Sequence, residues 1–460
     1  MDAVAVSPPA GGAIDDVEEL DTRPTVPLPI GQLVQIALYW LGINTIWGGM
    51  GILIQERVPG LVPAGQGGTY IALQGFITLS IAVLIQPTVG MISDFTISRW
   101  GRRKPYIAIG ASLDVLFVIG VATSNSYVTL VVFLFLLQFS SNFAQGPFQG
   151  YVPDLVPAKQ VGLASALVGS MQTLGFILGG LIISVGYILH DFTVPTIFLG
   201  IVEFVTAVGT LLWVREGRAA RERKGRSWLS IAKSAWGTDI LRERSFVNLV
   251  ISRLMFLAGV NALIGFFALF LTRTFGFTDD DKALWVPVTQ VIVAIVTVLA
   301  TIPSARVSDR VGRKPVIYVA CAIGAAGLVL AGLAPNLPVF MVAAALLGAG
   351  AGTFLAVDWA LMTDIIPKAA SGRYMGISNI AVASAGAVAG ALVGPIIDIV
   401  GGKAQTGDGP RAAFIVAAAF FALSAFFLRR VDPRLREDRL AQEHAMEATA
   451  AALAAEPATV

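Results

Sequence analysis

The chain has 460 residues, 55% of them hydrophobic and only 13% charged. A soluble domain carries about 25% charged residues, so water does not surround most of this chain. A net charge of +2 excludes no partner by itself, but the single cysteine, Cys321, excludes an internal disulfide and a cysteine-based metal centre.

Residues 1–30 are acidic and proline-rich (IDDVEELDTRPTVPLP) and read as a disordered tail rather than a cleavable signal. Twelve apolar runs follow, over 31–54, 69–92, 105–123, 127–152, 163–188, 194–214, 246–272, 283–304, 315–334, 338–363, 373–398 and 412–428. About 20 apolar residues cross a hydrocarbon core about 30 Å thick. Twelve such runs joined by short polar segments predict an all-α membrane protein in a lipid bilayer, not the buried helices of a soluble one.

The first run carries Trp40, Asn44, Trp47 and Gly51 at i, i+4, i+7 and i+11, one stripe of a helix. Indole rings beside an amide suit a sugar, whose C–H faces stack while its hydroxyls hydrogen-bond; the alternative is aromatic packing with an interfacial belt. The second run ends on Asp94, where the dipole of its own helix repels an anion. Beside it, residues 99–104 hold four cations, Arg99, Arg102, Arg103 and Lys104. Cations alone would be ordinary membrane anchors, but the carboxylate next to them points to a latch on one face of a bundle.

The fourth run repeats the stripe spacing with Gln138, Asn142, Gln145 and Gln149. Amides are costly against lipid, so this stripe is expected to face protein or a water-filled path. Amides donate and accept, as a hydroxyl-rich ligand requires; polar glue between helices is the alternative. Four charges fall within runs: Asp114 in the third, Glu203 in the sixth, Arg253 in the seventh and Asp358 in the tenth. Such residues are functional candidates, with structural pairing as the alternative. Arg253 and Asp358 lie at comparable depth and are expected to pair. Asp358 is the expected proton carrier, with Arg253 setting its proton affinity; Asp114 is the next candidate, and Glu203 the weakest.

Lys and Arg set the orientation. With the amino terminus cytoplasmic, 26 of the 32 lie in inside segments and tails, so both termini are expected in the cytoplasm, at the plasma membrane.

The loop at 92–105 has an echo at 307–315, VSDRVGRKP. Lys104-Pro105 maps onto Lys314-Pro315 at an offset of 210, which also carries Asp154 to Asp364, Pro157 to Pro367 and Gly162 to Gly372. Asp94 matches Asp309 at an offset of 215. Two related six-helix halves follow. The expected organisation is a cytoplasmic tail over 1–30, one half over 31–214, a basic linker over 215–245, the second half over 246–430 and a cytoplasmic tail over 431–460. Asp94 and Asp309 are then expected to tie the halves together near Arg102, Arg103 and Arg313, or at the start of helices 11 and 5.

Twelve spans in a 6+6 repeat, with paired Gly-x-x-x-Asp…Gly-Arg-Arg-Lys loops, resemble the major facilitator superfamily over essentially residues 31–430. The second copy departs by carrying Ala305 where the glycine would be. Asp94 also lies seven residues before Gly101, whereas Asp309 to Gly312 keeps the usual three. SDFTISRWGRRKPYI with NFAQGPFQGYVPDLVP resembles, more narrowly, the sucrose–proton symporters and their bacterial relatives among the glycoside–cation symporters. The resemblance implies a cavity lined by helices 1, 4, 7 and 10. The stripes then place Asn44, Trp47, Asn142, Gln145 and Gln149 there as expected substrate contacts, with Trp359 of the tenth run stacking from the other half. Those symporters have a coupling Asp seven residues before Gln-Gly-Pro and an Arg four after that Gln. Gln138 and Gln149 stand in these places here.

The sequence therefore predicts a proton-coupled carrier of a sugar or glycoside. A proton-antiporting efflux carrier for an amphipathic molecule is the first rival. A membrane sensor without transport would need an output domain, and the cytoplasmic segments reach only about 30 residues. An enzyme is not expected: the two histidines, His190 in a loop and His444 in the tail, cannot build a buried site, and no phosphate-binding glycine loop occurs. No cofactor, metal or nucleic-acid partner is expected.

Overall fold

The computed structural model describes residues 26–157, 160–216, 225, 227–230, 243–365 and 371–432. Within these, the side chains of residues 162, 309, 359, 360, 363, 364, 371–377 and 379 lie outside the description. No strand occurs among the described residues, and twelve helices are long and apolar enough to cross a membrane. The first six spans are Ile30–Leu61, Gly67–Asp94, Lys104–Thr123, Tyr127–Gln149 (continued by Tyr151–Leu155), Val161–Leu189 and Thr193–Trp213. The second six are Arg244–Ile264 (continued by Phe267–Phe275), Asp279–Val311, Arg313–Leu333, Leu337–Ile365, Ser371–Gly401 and Asp408–Ala417 with Ala419–Arg429.

Local chemistry sets the helix ends. Ser126 and Thr129 form a capping box at the start of the fourth span, as Thr278 and Asp281 do at the eighth. Gly101 and Gly312 precede the third and ninth spans at φ of 111° and 92°, a backbone conformation that residues with a Cβ rarely adopt. The first span runs past the apolar stretch to Leu61. This brings Arg57 against the end of the third span, where it donates to the carbonyls of Ala122 at 2.8 Å and Val121 at 3.3 Å, and to that of Ser124.

Helices with lipid on one side gain little from hydrophobic contact with each other, so close backbone approach decides their packing. A Cβ on Gly179 would lie 2.0 Å from the Thr45 carbonyl oxygen, which seats the fifth span on the first. In the second half, a Cβ on Gly352 would lie 2.1 Å from the Thr297 carbonyl oxygen, seating the tenth span on the eighth. The halves meet through the second span against the eleventh and the fifth against the eighth. A methyl on Gly68 would lie 2.5 Å from the Gly394 carbonyl oxygen, one on Gly390 3.4 Å from Ala72 Cα, and one on Gly75 3.8 Å from Ala387 Cα. The second and eleventh spans thus touch near Gly68 and diverge along their length.

Polar contacts reinforce that closed end, on the face opposite the Arg-rich loop. Asp398 accepts from the backbone N–H groups of Gly68 at 3.1 Å and Thr69 at 2.6 Å, capping the second span from the other half. Lys282 Nζ lies 2.7 Å from Glu56 Oε2, while Tyr187 donates to Glu56 Oε1 at 2.9 Å. The seventh span, read from sequence as one run over 246–272, breaks at Gly265 and Phe266. Gln55 of the first span fills the break: its amide donates to the Ile264 carbonyl at 3.2 Å and accepts from the N–H groups of Ala268 at 3.0 Å and Leu269 at 3.4 Å.

Candidate functional site

Asn44 and Trp47 are half-buried on the first span, and a methyl built on Gly51 of the same stripe meets no atom within 4 Å. That stripe borders open space. Asn44 turns its amide back to the Trp40 carbonyl at 2.9 Å. Trp40 packs on Phe148 of the fourth span with ring centroids 5.5 Å apart, which brings the two stripes side by side.

The fourth-span stripe divides in two. Asn142 is 4% exposed and donates to the Gln138 carbonyl at 2.7 Å, one turn from Gly146, which touches Gln86 of the second span. Gly352, its partner in the repeat, lies in the seam against the eighth span, so this register position serves helix packing in both halves. Gln138, Gln145 and Gln149 are half-buried, and their side-chain amides make no hydrogen bond among the described residues. In the tenth span, Gly348, at the repeat position of Gln138, joins the seam, while Leu355, at that of Gln145, is 43% exposed. The Trp359 side chain lies outside the described set.

Two clusters hold the charges within spans. Arg253 Nε lies 3.2 Å from Asp358 Oδ2, and Arg253 Nη1 donates to Ser378 Oγ at 2.6 Å, which ties the seventh, tenth and eleventh spans. Asp358 is fully buried. In the other half, Asp114 accepts from the Ser140 hydroxyl, and Glu203 accepts from Tyr39 at 2.5 Å. All four residues are fully buried or nearly so, at the junction of the first, third, fourth and sixth spans.

On the Arg-rich face, Arg103 collects the loop. It donates to Asp94 at 2.8 Å, to Asp154 at 2.7 Å and to the Pro147 carbonyl at 2.9 Å, while its N–H reaches Glu216 at 2.9 Å. Burial lowers the affinity of this guanidinium for its proton, and the carboxylates of Asp94 and Asp154 more than offset that, so its pKa lies above the ordinary arginine value. Arg102 adds a contact to Asp154 at 2.5 Å. Arg313 repeats part of the pattern, donating to Ser308 at 2.8 Å, as Arg103 does to Ser93 at 3.4 Å. These bonds of Asp94 and Arg103 join the second, third and fourth spans within one half, where the sequence reading expected a tie between halves. The side chain of Asp309 lies outside the described set.

Three features escaped the sequence reading. Asn261, half-buried on the seventh span, stands at the repeat position of Gly51, and the 210-residue offset was the signal for it. Glu203 gained its partner only from the packing of Tyr39. Gln55 has a role set wholly by a helix break in the other half.

A twelve-span bundle in two repeats, with half-buried amides on its fourth span that have no hydrogen bond among the described residues, is the architecture of a membrane carrier. The chain belongs to the Major Facilitator Superfamily, whose family model matches residues 33–298 and 249–457. Over 178 positions it is 28% identical to sucrose transport protein SUT1 of rice (Oryza sativa subsp. japonica), a match to 33% of this chain and 32% of that protein. Over 146 positions it is 29% identical to the human membrane-associated transporter protein, covering 27% of each. The chain thus spans about a third or less of the length of these curated relatives. A bacterial homolog to the human lysosomal transporter Spinster, in an inward-facing and unoccupied conformation, superposes with a TM-score of 0.68 at 14% identity, over 87% of this chain and 96% of that one. The nucleoside transporter NupG gives 0.66 at 14% identity, over 87% and 98%. At such identities the likeness shows the fold.

Proposed function

We propose that this chain is a secondary active transporter that moves a sugar or glycoside with a proton by alternating access. The observation that carries the reading is the set of half-buried amides at Gln138, Gln145 and Gln149, which have no hydrogen-bond partner among the described residues. Groups of this kind are costly in a bundle unless water or a polar solute meets them. Gln145 and Gln149, with Asn44 and Trp47 beside them, form the polar wall, while Asn142 packs behind it. Asn261 faces the solute from the other half, on the span next to the tenth, where the sequence puts Trp359. The 28% identity to a sucrose transport protein over part of the chain supports a sugar as the solute.

The excess of Lys and Arg on the Arg-rich face supports a plasma-membrane protein with that face and both termini in the cytoplasm. The contacts of Gln55, Glu56, Lys282 and Asp398 then close the outer face in the described conformation. The Arg103 cluster, with Asp94, Arg102 and Asp154, and its counterpart at Ser308 and Arg313, brace the inner ends of the halves as they rock.

The test is a thermal-shift screen of mono- and disaccharides on the purified chain, since a ligand that binds only the folded state raises its melting temperature. A shift with a disaccharide that Gln145→Ala removes supports the reading. Shifts confined to amphipathic cations would replace it with an efflux carrier.

A further inference from the structure

Among the described residues, no cation pairs with the two fully buried acids of the amino-terminal half. Asp114 and Glu203 are both 0% exposed, on the third and sixth spans. Ser140 occupies one oxygen of Asp114 and Tyr39 one oxygen of Glu203. Asp114 Oδ2 and Glu203 Oε2 are left without a hydrogen-bond partner among the described residues. A Cβ on Gly200 would lie 3.2 Å from Val118 Cγ1, so the third and sixth spans meet about one turn from both acids, which act on each other. Two ionised carboxylates cannot satisfy each other, because both offer only lone pairs. One proton between them would supply the missing donor and halve the buried charge, as in other close carboxyl pairs, where like charges cannot both ionise. Around the pair, the first span presents Tyr39, the fourth the Ser140 hydroxyl, and the third and sixth the two acids themselves. No cation is among the described groups that act on either.

The repeat shows that the fold does not require this cluster. At the offset of 210, Tyr39, Asp114, Ser140 and Glu203 become Leu249, Gly324, Gly350 and Ala413. The junction itself is conserved in geometry. A Cβ on Gly350 would lie 3.3 Å from Gly324 Cα, which mirrors the Ser140–Asp114 contact, and the Phe421 ring lies 2.6 Å from a Cβ on Gly324. The same helix crossing is therefore packed by an apolar set in one half and by two acids and two hydroxyls in the other. The acids also adjoin the amide stripes. A Cβ on Gly42 would lie 2.8 Å from Glu203 Cα, so the first span rides on Glu203 one residue before Ile43 and two before Asn44. Tyr39 sets its ring edge-on to Phe148, 5.0 Å away and next to Gln149.

Resting on the carrier reading above, we infer that Asp114 and Glu203 form the proton-binding site that couples transport to a pH gradient. The pair holds one proton between its carboxyl groups in the described state. When the first span shifts with solute at Asn44 and Trp47, the Tyr39–Glu203 bond loosens, the proton leaves to water on the receiving side, and the pair passes from one negative charge to two. Asp358, already matched by the Arg253 guanidinium, is then a structural anchor.

The proton is read directly by infrared spectroscopy of the purified full chain, through the C=O stretch of a protonated carboxylic acid, as pH is raised stepwise. The wild type should show a band that bleaches with rising pH. Asp114→Asn and Glu203→Gln should each remove it, and Tyr39→Phe should move it. A spectrum in which neither acid variant removes a band overturns the inference. In proteoliposomes with sucrose as the probe, a pH gradient should drive accumulation by the wild type, while Asp114→Asn and Glu203→Gln exchange sucrose without accumulating it. Undiminished accumulation by a folded Glu203→Gln, or its loss in Asp358→Asn alone, would also overturn it. Where the acid variants do not fold, Tyr39→Phe should shift the pH profile of uptake, and an unmoved band and profile reject the assignment. If the wild type exchanges no sugar at all, the carrier reading fails, and the infrared titration still decides the proton site.

Discussion

Gln55→Leu tests how the halves are held together. Gln55 is 2% exposed and bonds three backbone groups at the break in the seventh span: the Ile264 carbonyl at 3.2 Å and the N–H groups of Ala268 at 3.0 Å and Leu269 at 3.4 Å. The two N–H groups belong to the first turn of Phe267–Phe275, where a helix has no partners of its own for them. Leucine keeps much of the volume and supplies no hydrogen bond. Each well-made bond contributes about 0.5–1.5 kcal/mol, and a buried group left unpaired costs about 1–3 kcal/mol. Discounting the long contact to Leu269, the loss comes to about 2–4 kcal/mol against the state in which the first and seventh spans meet. At about 1.4 kcal/mol per tenfold, the equilibrium moves roughly 30- to 700-fold away from closure on this face. Spin labels on Gln66→Cys and Lys403→Cys would report it. Gly65 touches Lys403 in the closed state, and Cys321 is buried enough to remain unlabelled. The wild type should give a short distance, and Gln55→Leu should add a long one and lower the melting temperature. An unchanged distance distribution with an unchanged melt would refute the claim that Gln55 closes the face.

Gln145→Ala should leave the melting temperature nearly unchanged and weaken solute binding by about 1–3 kcal/mol, roughly 5- to 150-fold in Kd by calorimetry. Gly150→Ala places a methyl 2.0 Å from the Arg103 guanidinium carbon, displacing a group that holds Asp94 and Asp154. It should cost about 1–3 kcal/mol, and an unaltered melt would mean the guanidinium is not fixed there. Arg253→Met leaves Asp358 buried beside an apolar chain and should destabilise by about 3–5 kcal/mol, most of which Arg253→Met with Asp358→Leu should recover. Equal melts for the single and double variants would deny the pair its structural role.

Much was legible in the sequence because the bilayer simplifies it. Helices must satisfy their backbone internally, so twelve apolar runs sufficed to predict twelve spans, and the repeat at an offset of 210 predicted their pairing into halves. Glycine at 101 and 312 marked the turns whose backbone needs it. The seventh run read as unbroken because hydropathy does not see a break whose backbone groups are satisfied from another helix; Gln55 lies 209 residues from Ile264 in the chain. The amide stripe was visible by its spacing, but whether Asn142 or Gln145 bordered open space depended on which side the second span packed. Glu203 read as the weakest charge because no local pattern joins it to Tyr39, 164 residues away, or to Asp114. Periodicity and composition report what each helix presents along its own surface. Partners between helices are fixed by crossing and rotation, set here by glycine seams that let backbones touch, and only the tertiary structure decides which side chains those seams bring together.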